Sequence, residues 1–165
     1  MSDFLFNPSA SRGGAQNIVE NAAELKFGPD FDDIQVLSNA HLALLLQVSA
    51  QSSGYGDDEL HEVYKSTQRY VERYNTMTNP EKNSQELVGE LDTLQEALSK
   101  YRKETDDGKE LELHEFEVAS LMNLVATDTA VDEAKALIPS LSRFPDTAID
   151  EILDLIRTTM IRIVS

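Results

Sequence analysis

The residues of this 165-residue chain that could do chemistry are rich in carboxylates and poor in everything else. There are 30 aspartates and glutamates, three histidines and no cysteines. Without cysteine there are no disulfides, thiolate metal ligands or cysteine nucleophiles, which suits a reducing compartment. His114-Glu115 opens like the His-Glu-x-x-His pair of a zinc-protease helix. That motif needs a second histidine four residues on, where Val118 stands. His41, His61 and His114 fall on three different segments, so capping or solvated roles are expected and no metal or cofactor is. Placing Gly108 at the sixth position of a calcium loop puts Lys103 first and His114 twelfth, where carboxylates are required. No Gly-x-Gly-x-x-Gly, phosphate loop or nucleophile elbow occurs. With acids this abundant, a carboxylate pair carries no weight as a glycosidase dyad. The chain is not expected to be an enzyme.

The 14 basic residues leave a net charge of −16. Phosphate neutralisation supplies most nucleic-acid affinity, so this balance opposes binding to DNA, RNA or anionic membranes. Arg69, Arg73, Lys100, Arg102 and Lys103 are the densest basic residues, but Glu62, Glu72, Glu96 and Glu104 are interleaved with them, and a mixed solvated face is expected. The acids from Glu104 to Glu117 read as another solvated face. Tyr64, Tyr70, Tyr74 and Tyr101 read as packing residues, since a base-stacking platform also needs a positive groove. The longest fully apolar run, Leu42 to Leu46, is far short of the roughly 20 residues of a membrane span. The N-terminus lacks the basic and apolar regions of a secretory signal, so a nuclear or cytosolic location is expected.

A chain with so little chemistry must act by shape, and its elements are mostly helical. Residues 1–16 read as a mobile tail, with Phe4, Leu5 and Phe6 as a possible docking patch. Residues 17–54 read as an arm plus a first helix, and 55–165 as a helical bundle. In the arm, Ala23-Glu24-Leu25-Lys26-Phe27 alternates weakly before Gly28-Pro29, the pattern of a short strand. With no second strong strand in the chain, it would need a partner's sheet edge.

The first helix is expected from Ser38 or Asn39 to about Gln51 and is apolar around much of its circumference. The second starts near Asp57-Asp58, with Leu60, Val63, Tyr64, Val71 and Tyr74 as one stripe. Asn79-Pro80 opens the third, whose Leu87, Leu91, Leu94, Leu98 and Tyr101 form a narrow seam. Lys103 to Lys109 is an exposed turn. The fourth helix, Leu113 to Val125, is the most apolar and is expected at the centre. Thr129 begins a capping box for the fifth, Pro139 limits it, and Pro145-Asp146 opens a sixth with stripe Ile149, Ile152, Leu153, Ile156, Met160 and Ile163. The fold class is all-α.

Leu113-His114-Glu115-Phe116-Glu117, Leu121-Met122-Asn123-Leu124 and Glu133-Ala134-Lys135-Ala136-Leu137-Ile138-Pro139-Ser140-Leu141 resemble the fourth subunit of eukaryotic RNA polymerase II. Glu20 to Gly28 is similar to that family's opening segment, and Ile149 to Asp154 to its last helix. The stretch from Lys82 to Glu112 is longer than in compact members, as in fungal forms. The resemblance implies an HRDC-like bundle, a nuclear location and a non-catalytic stalk heterodimer with the seventh subunit, docked on the polymerase core. Ala23, Glu24, Leu25, Lys26, Phe27 and Phe31 of the arm, with Leu37, Leu42, Leu45 and Leu46 around the first helix, are then the expected partner interface. The alternative is a free acidic adaptor or an HRDC-type nucleic-acid module.

Overall fold

The computed structural model describes residues 19–31, 34–53 and 61–165. Phe4, Leu5 and Phe6, and the Asp57-Asp58 start and Leu60 of the second helix, lie outside them. The described residues form six α-helices and one small antiparallel hairpin, a mainly helical bundle.

Helix α1 (Asn39–Ser53) starts where Ser38 Oγ accepts the His41 N–H at 3.2 Å. Ala40 enters the core and Leu44 packs against it, and the helix has α2 (Glu62–Tyr74) as its main neighbour. His61 caps α2 by accepting the Val63 N–H. The single stripe expected on α2 is corrected. Val71 is buried and Tyr64 is half-buried, its hydroxyl donating to the Leu46 carbonyl. Val63, Tyr70 and Tyr74 face solvent. Positions 63, 70 and 74 share one face, and 64 and 71 sit about 100° further round, so a helix packed chiefly on one neighbour cannot bury both.

Helix α3 (Ser84–Ser99) is capped by Asn83, which accepts the Glu86 N–H at 2.8 Å. The expected start at Asn79-Pro80 is corrected: Asn79 accepts from the Glu81 N–H at 2.9 Å and donates to the Ile163 carbonyl at 2.9 Å. That asparagine ties a turn to the end of the last helix. The seam Leu87, Leu91, Leu94 and Leu98 is buried, as its spacing predicts.

After α3 the expected bare turn is a hairpin, β1 (Arg102–Glu104) with β2 (Glu110–Glu112), paired Arg102 with Glu112 and Glu104 with Glu110. Strands three residues long carry too little pattern to be read from sequence. Arg102 bridges Glu110 and Glu112 at 3.5 and 2.9 Å, while Gly108 turns the tip at φ 72°.

Helix α4 (Glu115–Leu124) opens on a capping box: His114 accepts the Phe116 N–H, and Glu117 accepts the His114 N–H at 2.8 Å. Helix α5 (Val131–Leu137) has no side-chain cap, which corrects the box expected at Thr129. Thr129 Oγ1 instead accepts the Ala126 N–H at 2.8 Å, closing the preceding turn. A 3-10 turn (Pro139–Arg143) leads to α6 (Asp146–Val164).

Helix α6 carries the longest buried face, while α4, expected at the centre, is buried along half its residues. On α6, Ile149, Ile152, Leu153, Ile156 and Ile163 are fully buried, facing α3 and α5. Each such burial is worth about 1.5–3 kcal/mol. At 10 residues α4 is too short to run the length of the core, and its Leu124 ends half-exposed.

Candidate partner interface

The arm is not an extended strand. Ala22–Glu24 is one 3-10 turn, and Asn21 and Lys26 exchange backbone hydrogen bonds at 2.9 and 3.0 Å. Asn21 Oδ1 accepts the Ala23 N–H, and Leu25 sits at φ 54° to close the loop. An Asn side chain reading two residues ahead competes with sheet pairing, and here it wins. Ala23, Glu24 and Lys26 are exposed on this loop. Lys26 pairs with Glu24, and its hydrogen bond and charge hold that carboxyl below its ordinary range.

Past the loop the chain turns into the bundle. The Phe27 ring lies 5.5 Å from that of His114 and 5.1 Å from that of Phe116, joining the arm to the start of α4. Gly28 is buried, and a Cβ there would come within 2.7 Å of the Glu20 carboxylate. Beyond the Pro29–Phe31 turn, Phe31 and Ile34 remain 54% and 47% exposed. Leu25, Phe27, Phe31, Ile34 and Val36 line one side of an open groove, with Leu113, His114 and Phe116 on the other. Glu112 and Glu115 line it as well.

The expected interface residues therefore divide. Leu25, Phe27 and Phe31 gather in the groove, while Leu42, Leu45 and Leu46 lie along α1. Leu45 is 56% exposed, Val48 49% and Leu37 40%, whereas Leu42 and Leu46 are half-buried. The sequence reading missed Ile34, Val36, Leu113 and Phe116 as groove walls. The alternation Ile34-Gln35-Val36 could have marked the first two, but Phe116 lies in an apolar helix and reads as core.

A second cluster was missed altogether. Glu117, expected on a solvated face, has a fully buried side chain. It accepts from Ser140 Oγ at 2.6 Å and from the Arg143 guanidinium, whose Nη2 lies at 2.7 Å. Arg143 also donates to the Glu112 carbonyl at 2.6 Å, tying β2, α4 and the 3-10 turn together. The other bases behave as expected: Arg69 pairs with Glu62, Lys100 with Glu96 and Lys103 with Glu151. The Tyr101 hydroxyl donates to Glu151 at 2.5 Å. Burial, then the Glu151 hydrogen bond and charge, push the phenol far above its usual range, while the Tyr101 and Lys103 contacts hold Glu151 low. These contacts tie the end of α3 and the start of the hairpin to α6.

Comparison with known proteins gives this geometry its setting. Residues 16–160 match the family described as RNA polymerase Rpb4. The chain is 30% identical over 154 residues to the DNA-directed RNA polymerase II subunit rpb4 of Dictyostelium discoideum, covering 90% of this chain and 93% of the relative. It is 30% identical over 143 residues to the DNA-directed RNA polymerase II subunit 4 of Arabidopsis thaliana, covering 82% and 89%. The match runs from the arm through the groove to the last helix, and the chain belongs to the RNA polymerase Rpb4 family, the fourth subunits of nuclear RNA polymerase II.

Proposed function

We propose that the chain is a non-catalytic stalk subunit that pairs with the seventh subunit of RNA polymerase II, supporting transcription initiation and the docking of factors. The reading rests on one observation above all: apolar side chains of the arm and α1 stand in solvent in the isolated chain. Phe31, Leu37, Leu45 and Val48 are all at least 40% exposed within a short span of sequence. Large apolar side chains left in solvent in one stretch of the chain are what an interaction site would use. With the arm closed into a loop, side chains rather than added strand pairing would carry the contact. Ala23, Glu24 and Lys26 would lie at its polar rim, and Leu42 and Leu46 would support Leu45 from beneath.

The test is co-expression of this chain with the seventh subunit, followed by an affinity measurement on the purified pair. Leu45→Asp should weaken the heterodimer by about thirtyfold or more, as expected for a charge placed in an apolar contact. Because Leu45 touches little in the free chain, the variant should keep its urea midpoint. An intact heterodimer with Leu45→Asp would sink the assignment of α1 to the interface.

A further inference from the structure

We propose that the outer face of α2 docks on α2 of a second copy of this chain, the two helices packed antiparallel. This pairing does not depend on the seventh subunit. Val63, Tyr70 and Tyr74 are 66%, 56% and 48% exposed, and Thr67 lies between them. Spacings of four, three and four put these side chains on one seam of the helix. The Thr67 hydroxyl donates to the Val63 carbonyl at 2.8 Å, so it brings no free donor to the seam. The Tyr70 and Tyr74 rings lie 4.8 Å apart and form one aromatic patch. Helix α2 buries Val71 yet leaves three large side chains of this seam in water.

Charge selects the second copy. An antiparallel pairing that sets Val63 of one helix against Tyr74 of the other also sets Thr67 against Tyr70, and by symmetry each contact occurs twice. Glu62 and Arg73, about three turns apart, stand on the same edge of the seam. In this register Glu62 of one copy is level with Arg73 of the other to within about 3 Å along the axis. Arg73 lies 5.3 Å from the Tyr74 ring and has no carboxylate partner among the described residues. Glu62 pairs with the exposed Arg69 at 3.3 Å. The edge is complementary to itself, an acid at one end and an unpaired base at the other. A purely acidic or purely basic occupant would match one end and be repelled by the other. Among the helices of the described residues, α2 is also the one where bases outnumber acids, Lys65, Arg69 and Arg73 against Glu62 and Glu72. Two chains of charge −16 thus meet where each is least negative, and salt screens the charges further than about 8 Å away.

A 13-residue helix is about 20 Å long, and one face of it buries less than the roughly 800 Å² per partner of a stable interface. The dimer is therefore weak, with a Kd of about 10–100 μM. Sedimentation equilibrium of the full chain from ~5 μM to ~500 μM should show monomer passing to dimer. Monomer throughout overturns the proposal and leaves the seam to a different protein. Tyr70→Asp sets two charges at the middle of the seam and should weaken the dimer by about tenfold or more. Leu45→Asp on α1 should leave it unchanged. A dimer lost in Leu45→Asp and kept in Tyr70→Asp overturns the assignment to α2. Glu62→Arg and Arg73→Glu should each weaken the dimer by about threefold or more, and the two reversals together should recover most of the loss. A double reversal as weak as either single one overturns the antiparallel register. Circular dichroism and urea midpoints establish that each variant is folded.

Discussion

Arg143 shows how much one side chain can decide. Its guanidinium serves the buried Glu117 carboxylate, the Ser140 carbonyl and the Glu112 carbonyl at once. Removing it would strand Glu117 in the core without its cation. Arg143→Met should therefore destabilise the protein by about 3–5 kcal/mol, read as a lowered urea midpoint at unchanged slope. Arg143→Met with Glu117→Gln should recover a large part of that loss, because no buried charge remains. A loss below about 1 kcal/mol in the single variant would mean that solvent reaches Glu117. Nothing in the spacing of Glu117 and Arg143, 26 residues apart, announces the pair. By composition Glu117 looks like its exposed neighbours, and its burial follows from where the 3-10 turn packs.

At the scale of elements, narrow apolar stripes on helices with more than one packed neighbour were legible. The α3 seam and the α6 stripe follow their spacing onto the buried faces. Boundaries were less so, because several polar residues compete for each cap. Asn79 and Asn83 both suit a cap, and only Asn83 has the Glu86 N–H in reach. Asn83→Ala should cost about 1 kcal/mol. Asn79→Ala should act at a distance, raising amide exchange at the C-terminal end of α6, where its side chain holds the Ile163 carbonyl. Equal exchange at that end in both variants would remove the distinction. The arm failed for a related reason. Its alternation suits a strand, but the Asn21 side chain and the left-handed Leu25 close it into a loop.

For the whole molecule, charge and apolar surface pull in different directions. A net −16 on 165 residues repels itself in the compact state. Stability should rise as salt goes from ~0.01 M to ~0.2 M, where the screening length falls from about 30 Å to below 10 Å. The melting temperature of the free chain checks this, and a fall over that range would show that its ion pairs outweigh the repulsion. By itself, the sequence determined the helical class, the core faces of α3 and α6 and the family, because spacing and residue type are local and survive any arrangement. It could not say which apolar residues stay in solvent, or that Glu117 is buried. Those depend on how many neighbours each face meets, and only the tertiary packing decides that. Phe31, Leu45 and Phe116 are all apolar in the sequence. The fold leaves Leu45 open on α1 and brings Phe31 and Phe116 into the lining of one groove.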